Sequence, residues 1–381
     1  MARNTRIAMN HMRSPLAGVR QGGQASIIKS IQSGTIAIGS GSASNTATIN
    51  AVTTANCLLF WNGSYDATAT TNRDMIADVV LTNTTTITAT RSNAGTNTCN
   101  ARYTIIEFVP GVLTSVQRGT ITIASGSTSN TATITSVSEN VAFFNCLGYR
   151  NTNNSAERID SAFATITLTD ATTVTASRTT NDSFNTIVGY QVAEFSTQYI
   201  YRTAKVNAAL SASSGMLTLT GALGTAISSF PQGGVPLIGW AGFKTAGSTI
   251  ADAFFSPSLE FQIDTTFKMF HVRDVTGSST SGTNSLSVVF FKPEYARYSQ
   301  LITVPMVTAS SATDTMPVNT VPGKTFVGLS GYRTTGTCGA GSAGSLQRLI
   351  GAVANDNTSI YVNRGSTTEN CYLQANIVEF K

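Results

Sequence analysis

Charge is what this chain has least of. Only 11% of its 381 residues are Asp, Glu, Lys or Arg, where an ordinary soluble domain carries about 25%. Histidine is nearly absent, with His11 and His271 alone. An enzyme built on a histidine base would depend on one of these two. Neither has a His, Cys or carboxylate neighbour at ligand spacing, so no metal site is expected. No apolar run approaches the ~18 residues of a membrane-spanning helix, and no membrane insertion is expected. No hydrophobic stretch follows Met1-Ala2-Arg3-Asn4-Thr5-Arg6, so a secretory leader is not expected.

Threonine fills much of the space that charge leaves, with 59 residues, alongside 32 glycines. The apolar share is an ordinary 41%, which supports real cores and excludes a disordered polar tail or a charged helical rod. The few charges are unevenly placed. Arg3, Arg6, Arg13, Arg20 and Lys29 precede the first carboxylate, Asp66, and the rest of the chain is balanced. The net charge of +5 and the pI near 9.0 therefore belong to an N-terminal segment. A nucleic-acid-binding protein would carry a basic face on a folded body instead, so no nucleic-acid partner is expected.

The chain repeats itself. Gln32-Ser33-Gly34-Thr35-Ile36-Ala37-Ile38 returns as Gln117-Arg118-Gly119-Thr120-Ile121-Thr122-Ile123, and Ser44-Asn45-Thr46-Ala47-Thr48-Ile49 as Ser129-Asn130-Thr131-Ala132-Thr133-Ile134. Ile87-Thr88-Ala89-Thr90-Arg91 matches Val174-Thr175-Ala176-Ser177-Arg178. Fainter echoes follow. Gly148-Tyr149-Arg150 reads as a turn that recurs at Gly242-Phe243-Lys244 and Gly331-Tyr332-Arg333. Closing strands end on Phe108, Phe195, Phe291 and Phe380, and Arg178 has counterparts in Arg273 and Arg364. Hydrophobicity alternates with period two, as in Gly119-Thr120-Ile121-Thr122-Ile123, and glycine- and serine-rich clusters punctuate the runs. The expectation is all-β: four tandem antiparallel β-sandwich repeats at 27–108, 113–195, 200–291 and 298–380, behind an extended arm at 1–26. Linkers as short as Val109-Pro110-Gly111 and Lys292-Pro293-Glu294-Tyr295 predict a compact string of units.

Catalytic motifs fail on inspection. Gly339-Ala340-Gly341-Ser342-Ala343-Gly344 has dinucleotide spacing but sits in an all-β context without the required strand and helix. Gly323-Lys324-Thr325 lacks the earlier glycine of a phosphate loop, because position 318 is Val318. Glu107, Glu194 and Glu379 recur one residue before the closing Phe, which points to a strand-edge role, pairing with Arg91, Arg178 and Arg364, over glycosidase chemistry. No catalytic residue and no cofactor is expected. Cys57 with Cys99, and Cys338 with Cys371, are candidate disulfides within a copy; free buried thiols are the alternative, favoured by the odd count of five. Trp61-Asn62-Gly63-Ser64-Tyr65-Asp66 reads as a loop of the kind that stacks on sugars, with Trp61, Asn62, Tyr65 and Asp66 as glycan contacts. The alternative is that Trp61 closes a small core.

The repeated unit resembles one found in tailed-bacteriophage virion proteins. The resemblance is carried by Ser115-Val116-Gln117-Arg118-Gly119-Thr120-Ile121-Thr122-Ile123, Ser129-Asn130-Thr131-Ala132-Thr133-Ile134, Thr172-Thr173-Val174-Thr175-Ala176-Ser177-Arg178 and Val192-Ala193-Glu194-Phe195. It is similar in length and style to the small sandwiches of H-type lectins, whose sugar-contacting residues do not map onto this chain. The resemblance implies a non-enzymatic virion component: a tail fibre, a collar or tail appendage, or a capsid decoration protein. Its place would be the virion, assembled in the host cytoplasm. The arm, with Arg3, Arg6, Arg13 and Arg20, would anchor it to other virion proteins. A disordered or nucleic-acid-binding tail is the alternative for that segment. The small units favour a homo-oligomer, a trimer in the first instance, and a host-surface glycan is a possible partner. The rival reading is a glycan-binding, lectin-like adhesin.

Overall fold

The computed structural model describes residues 25–66, 72–152, 162–210, 214–224, 234–245, 261–262, 268–272, 282–306, 309, 311–316, 321, 323–335, 351–355, 359–364 and 370–381. Arg3, Arg6, Arg13 and Arg20, expected as anchoring residues, and also Arg273 and Cys338, lie outside this set. The described residues are all-β apart from one 3-10 turn, Thr54–Asn56, and one helical turn, Asn72–Met75.

Among the described residues, twenty-four strands follow one another in four sets of six. The first is β1 Ile28–Ile38, β2 Ser44–Thr48, β3 Cys57–Tyr65, β4 Ala77–Asn83, β5 Thr86–Arg91 and β6 Cys99–Phe108. The second is β7 Leu113–Ile123, β8 Ser129–Thr133, β9 Ala142–Asn151, β10 Thr165–Asp170, β11 Thr173–Ser177 and β12 Thr186–Phe195. The third is β13 Ile200–Leu210, β14 Ser214–Thr218, β15 Val235–Thr245, β16 Phe261–Gln262, β17 Lys268–Val272 and β18 Gly282–Phe291. The fourth is β19 Ala296–Met306, β20 Ser311–Thr315, β21 Thr325–Thr335, β22 Gly351–Asn355, β23 Ser359–Arg364 and β24 Asn370–Phe380. In every set the first, sixth and third strands form one antiparallel ladder, and the second, fifth and fourth another.

The ladders do not stop where the sets stop. β4 pairs with β9 through Asp78↔Gly148, and β10 with β15 through Thr165↔Gly242. Two six-stranded sheets thus run across neighbouring sets. At the far side β22 lies against β3, which brings the fourth set back to the first. The small sheets are arranged like a four-bladed propeller. The expected string of units is therefore a closed ring.

The expected Gly-Tyr-Arg turn is also something else. Gly148 (φ 101°) and Gly242 (φ 98°) sit inside strands, as does Gly63 (φ 96°). Register shifts at Trp61/Ser64, Trp240/Phe243 and Leu329/Gly331 mark β-bulges. The ends of β9 and β15 turn there toward the preceding set, and the cation two residues after each glycine reaches across. Arg150 Nε meets Asp78 Oδ2 at 2.8 Å, and Lys244 Nζ donates to Ser177 Oγ at 2.9 Å.

Candidate functional site

The residues with most to do are those on the ring axis. One end of the axis is plugged by the four closing phenylalanines. The rings of Phe108 and Phe195 lie 5.8 Å apart, Phe195 and Phe291 5.5 Å, Phe291 and Phe380 5.3 Å, and Phe380 and Phe108 6.2 Å. All four side chains are buried, and their edge-on contacts suit the aromatic quadrupole.

Above the plug the axis turns polar. Four residues before each closing Phe stand Thr104, Gln191, Ser287 and Asn376, each fully buried. Each meets the backbone of a neighbouring third strand, four residues before that strand's Gly63, Gly148, Gly242 or Gly331. Leu59 N donates to Gln191 Oε1 at 3.1 Å, Phe144 N to Ser287 Oγ at 3.2 Å, and Ile238 N to Asn376 Oδ1 at 3.0 Å. Thr104 Oγ1 donates to Val327 O at 3.2 Å and so closes the circle. One contact is thus made at all four seams, each time with a different side chain.

The repeated arginines are knots rather than partners of the repeated glutamates. Arg91 donates to the carbonyls of Ser42, Asp74, Asn97, Gly39 and Gly95. Arg178 bonds Ser127 O, Phe184 O, Ala124 O and Asp182 O and the Thr186 hydroxyl. Arg364 bonds Ala309 O and Met306 O. The guanidinium fork ties one hairpin turn to the loop before the closing strand. The glutamates work at the opposite end of that strand. Glu107 accepts from Lys29 Nζ and Thr53 N, both at 2.8 Å, Glu194 from Ser138 N at 2.7 Å, and Glu379 pairs with Arg297 at 2.6 Å. Burial pushes the Glu107 carboxyl up, but the Lys29 and Thr53 bonds outweigh it and hold it below the usual range. At Glu379 burial wins over Arg297, and the carboxyl is raised.

The expected sugar-binding loop is the end of strand β3. Trp61 is 3% exposed, stacks on Trp240 at 5.4 Å and meets Tyr149 edge-on at 5.7 Å. Asn62 and Asp66 are buried as well. Tyr65, partly exposed, lies under the Arg102 guanidinium. Trp61, Asn62 and Asp66 present no face to a sugar, and the alternative of a core tryptophan describes Trp61.

Cys57, Cys99 and Cys146 are free and buried. Cys57 pairs in register with Glu107, eight residues along β6 from Cys99. That separation is about 27 Å of strand, whereas a disulfide spans Cα atoms no more than about 7 Å apart. The expected Cys57–Cys99 bridge does not exist, because the two thiols occupy opposite ends of one sheet. Burial pushes all three thiols up to about 12. Cys338 and the side chain of Cys371 lie outside the described residues. Among the described residues no group of three His, Cys, Asp or Glu could hold a metal ion, and no helix is long and apolar enough to cross a membrane.

Two sets of working residues escaped the sequence reading. Gln32 and Gln117, quoted only as the start of a repeat, use their side-chain amides as strand mimics. Each exchanges two bonds, with Asn50 and with Thr135, and so seals an open sheet edge. The axial residues had a signal too, a polar side chain four places before each closing Phe. No protein-family model matches the chain, and no curated protein sequence matches it.

Proposed function

We propose that the chain is a non-enzymatic structural protein of a tailed-bacteriophage virion: a tail fibre, a collar or tail appendage, or a capsid decoration protein. In this reading each six-stranded set is one small β-sandwich repeat. Residues 1–26 form an arm whose Arg3, Arg6, Arg13 and Arg20 engage carboxylates on another virion protein. The assembled form is a homo-oligomer, a trimer in the first instance.

One observation carries the reading. The described residues begin at 25, three places before Ile28, which pairs with Phe108 of the phenylalanine plug. The linkers at 109–112, 196–199 and 292–295 follow the closing phenylalanines Phe108, Phe195 and Phe291. The hairpin turns held by Arg91 and Arg178 lie at the other end of the strands. A ring tethered at one end and free at the other suits a projecting particle component. The virion-like repeat motifs add to this.

Deleting residues 2–24 tests the proposal. The ring should still fold, and the protein should no longer join particles. Incorporation at the normal level would sink the anchoring role.

A glycan-binding adhesin is the second reading, favoured by the outer face of β8, β11 and β10. Its rows Thr131–Thr175–Thr167 and Thr133–Thr173 carry only hydroxyl side chains, each at least partly exposed. Neutral hydroxyls, each both donor and acceptor, suit an uncharged sugar. Glycan-array binding that disappears when this face is changed would favour the adhesin over a purely structural role.

A further inference from the structure

Four seams hold the ring, each with one axial contact, and they differ in tethering. Three are bridged by short linkers at 109–112, 196–199 and 292–295. The seam between the fourth set and the first has none, because Phe380 and Ile28 are the two sequence extremes of the ring. A short linker holds its partners at an effective concentration of the order of millimolar, so a seam that opens there recloses on itself. The untethered seam depends on its own contacts.

Phe60 packs on Phe326 there at 4.5 Å, and among the described residues the seam's side-chain hydrogen bonds come from three residues of the first set. Asn62 Nδ2 donates to Val327 O at 3.4 Å, and Asn62 Oδ1 accepts from Leu329 N at 3.2 Å. Thr104 Oγ1 donates to Val327 O and accepts from Asn62 Nδ2 at 2.8 Å. Arg102 Nη1 donates to Tyr361 O at 3.3 Å, and Nη2 to Asn363 Oδ1 at 2.6 Å. The counterparts of Asn62 in the other sets are Leu147, Ala241 and Ser330; those of Arg102 are Gly189, Ser285 and Gln374. Neither an Asn nor an Arg occurs at the matching place elsewhere.

We propose that Asn62, Arg102 and Thr104 form a latch that closes the ring, and that the seam it closes is a latent interface for a second copy of this chain. When the latch opens, the fourth set, residues 296–380, swings out on the hinge at 292–295. It then seats in the ring of another copy, which offers the same two seam faces. The exchanged contacts are the intramolecular ones, so the swap costs little beyond the loss of tethering, which is the general route to exchange in repeat proteins. This inference does not rest on the virion reading, and its failure would leave that reading untouched.

The test uses the full chain. Wild-type protein is refolded from denaturant at low and at high concentration, and its mass is measured by light scattering. The expected result is a species of twice the low-concentration mass, present only after concentrated refolding. Thr104→Val and Asn62→Leu weaken the latch in the closed and the exchanged form alike, so the isolated doubled species should return to the low mass on dilution several-fold faster. Ser287→Ala, at a tethered seam, should lower the unfolding midpoint and leave that rate at the wild-type level. A doubled species that returns at one rate in all four proteins, or that is absent at every concentration, overturns the proposal. If the latch variants do not fold, the wild-type concentration series still decides.

Discussion

Replacing Gly148 by alanine measures how closely two neighbouring sets approach. Two costs combine there. The residue has φ 101°, a conformation that an L side chain adopts only under strain, at about 1–2 kcal/mol. A Cβ would also lie 2.6 Å from Ala77 O and 2.7 Å from Asp78 Cα, with Trp61 Cδ1 at 3.1 Å. The first two are backbone atoms of β4 and cannot rotate away. Relief requires β4 and β9 to part at Asp78↔Gly148, the single ladder pair between them. Loss of that pairing adds about 1–2 kcal/mol, for a total of about 3 kcal/mol. Gly41 supplies the reference. It too has a positive φ, 74°, but a Cβ there meets nothing within 4 Å, so Gly41→Ala should cost only the backbone term of about 1 kcal/mol. Urea unfolding of both variants gives the difference from their midpoints at a common slope. Gly242→Ala should behave like Gly148→Ala, since its Cβ would run into Ala164 O and the Tyr149 hydroxyl. Equal losses for Gly148→Ala and Gly41→Ala would refute the close approach and the fused sheet with it.

Asp78 carries a pH prediction. Burial raises its carboxyl to about 6 despite Arg150, so between about pH 4 and 6 the folded chain binds more protons than the unfolded one, and stability falls as pH rises through that window. At 1.36 kcal/mol per unit the loss is about 3 kcal/mol by neutral pH. Asp78→Asn should flatten that slope and gain stability at pH 7; an unchanged slope in pH-dependent unfolding would count against the assignment. The Cys57, Cys99 and Cys146 thiols, raised to about 12 by burial, should stay unmodified when the native protein is treated with iodoacetamide, and peptide mapping showing rapid labelling of any would contradict their burial. Arg178→Lys keeps the charge but loses the fork that serves four carbonyls; it should cost about 3 kcal/mol or more by denaturant unfolding. A loss below 1 kcal/mol would mean that water replaces the guanidinium.

What the sequence disclosed is what recurs locally. Period-two alternation in Gly119-Thr120-Ile121-Thr122-Ile123 maps onto β7, where Ile121 and Ile123 are buried and Thr120 and Thr122 exposed. Closure of the ring was not legible, because its contacts join distant residues: Thr104 meets Val327 and Arg102 meets Asn363. Nothing in a repeat pattern distinguishes an open row from a circle. The Glu–Arg pairing failed for a related reason. Opposite charges recurring at one spacing say nothing about which end of the strand each occupies. Glu107 lies at one end of β6 and Arg91 reaches the loop before the other. Asn62 was read from its neighbours, Trp61 and Tyr65, as part of a sugar-binding loop. Its hydrogen bonds, to strand backbone across a seam, place it in the architecture instead.

The polar axis follows from an unpaired edge. At two seams the third strand of a set pairs with the fourth strand of the preceding set, and only at its bulged end: β9 at Gly148 and β15 at Gly242. Below the bulge its outer edge carries amides and carbonyls with no ladder partner, and closing the ring buries them away from water. Buried backbone groups must then find partners among side chains. Leu59 finds them in Gln191 and Asn145, Phe144 in Ser287, Ile238 in Asn376, and Val327 in Thr104 and Asn62. Four apolar residues on the axis would pack, but each would strand a backbone donor or acceptor at about 1–3 kcal/mol. Polarity at this position is thus a consequence of closing the ring. The identity of each residue is free to vary with its reach, which is why Thr, Gln, Ser and Asn can share one role without resembling one another in the sequence.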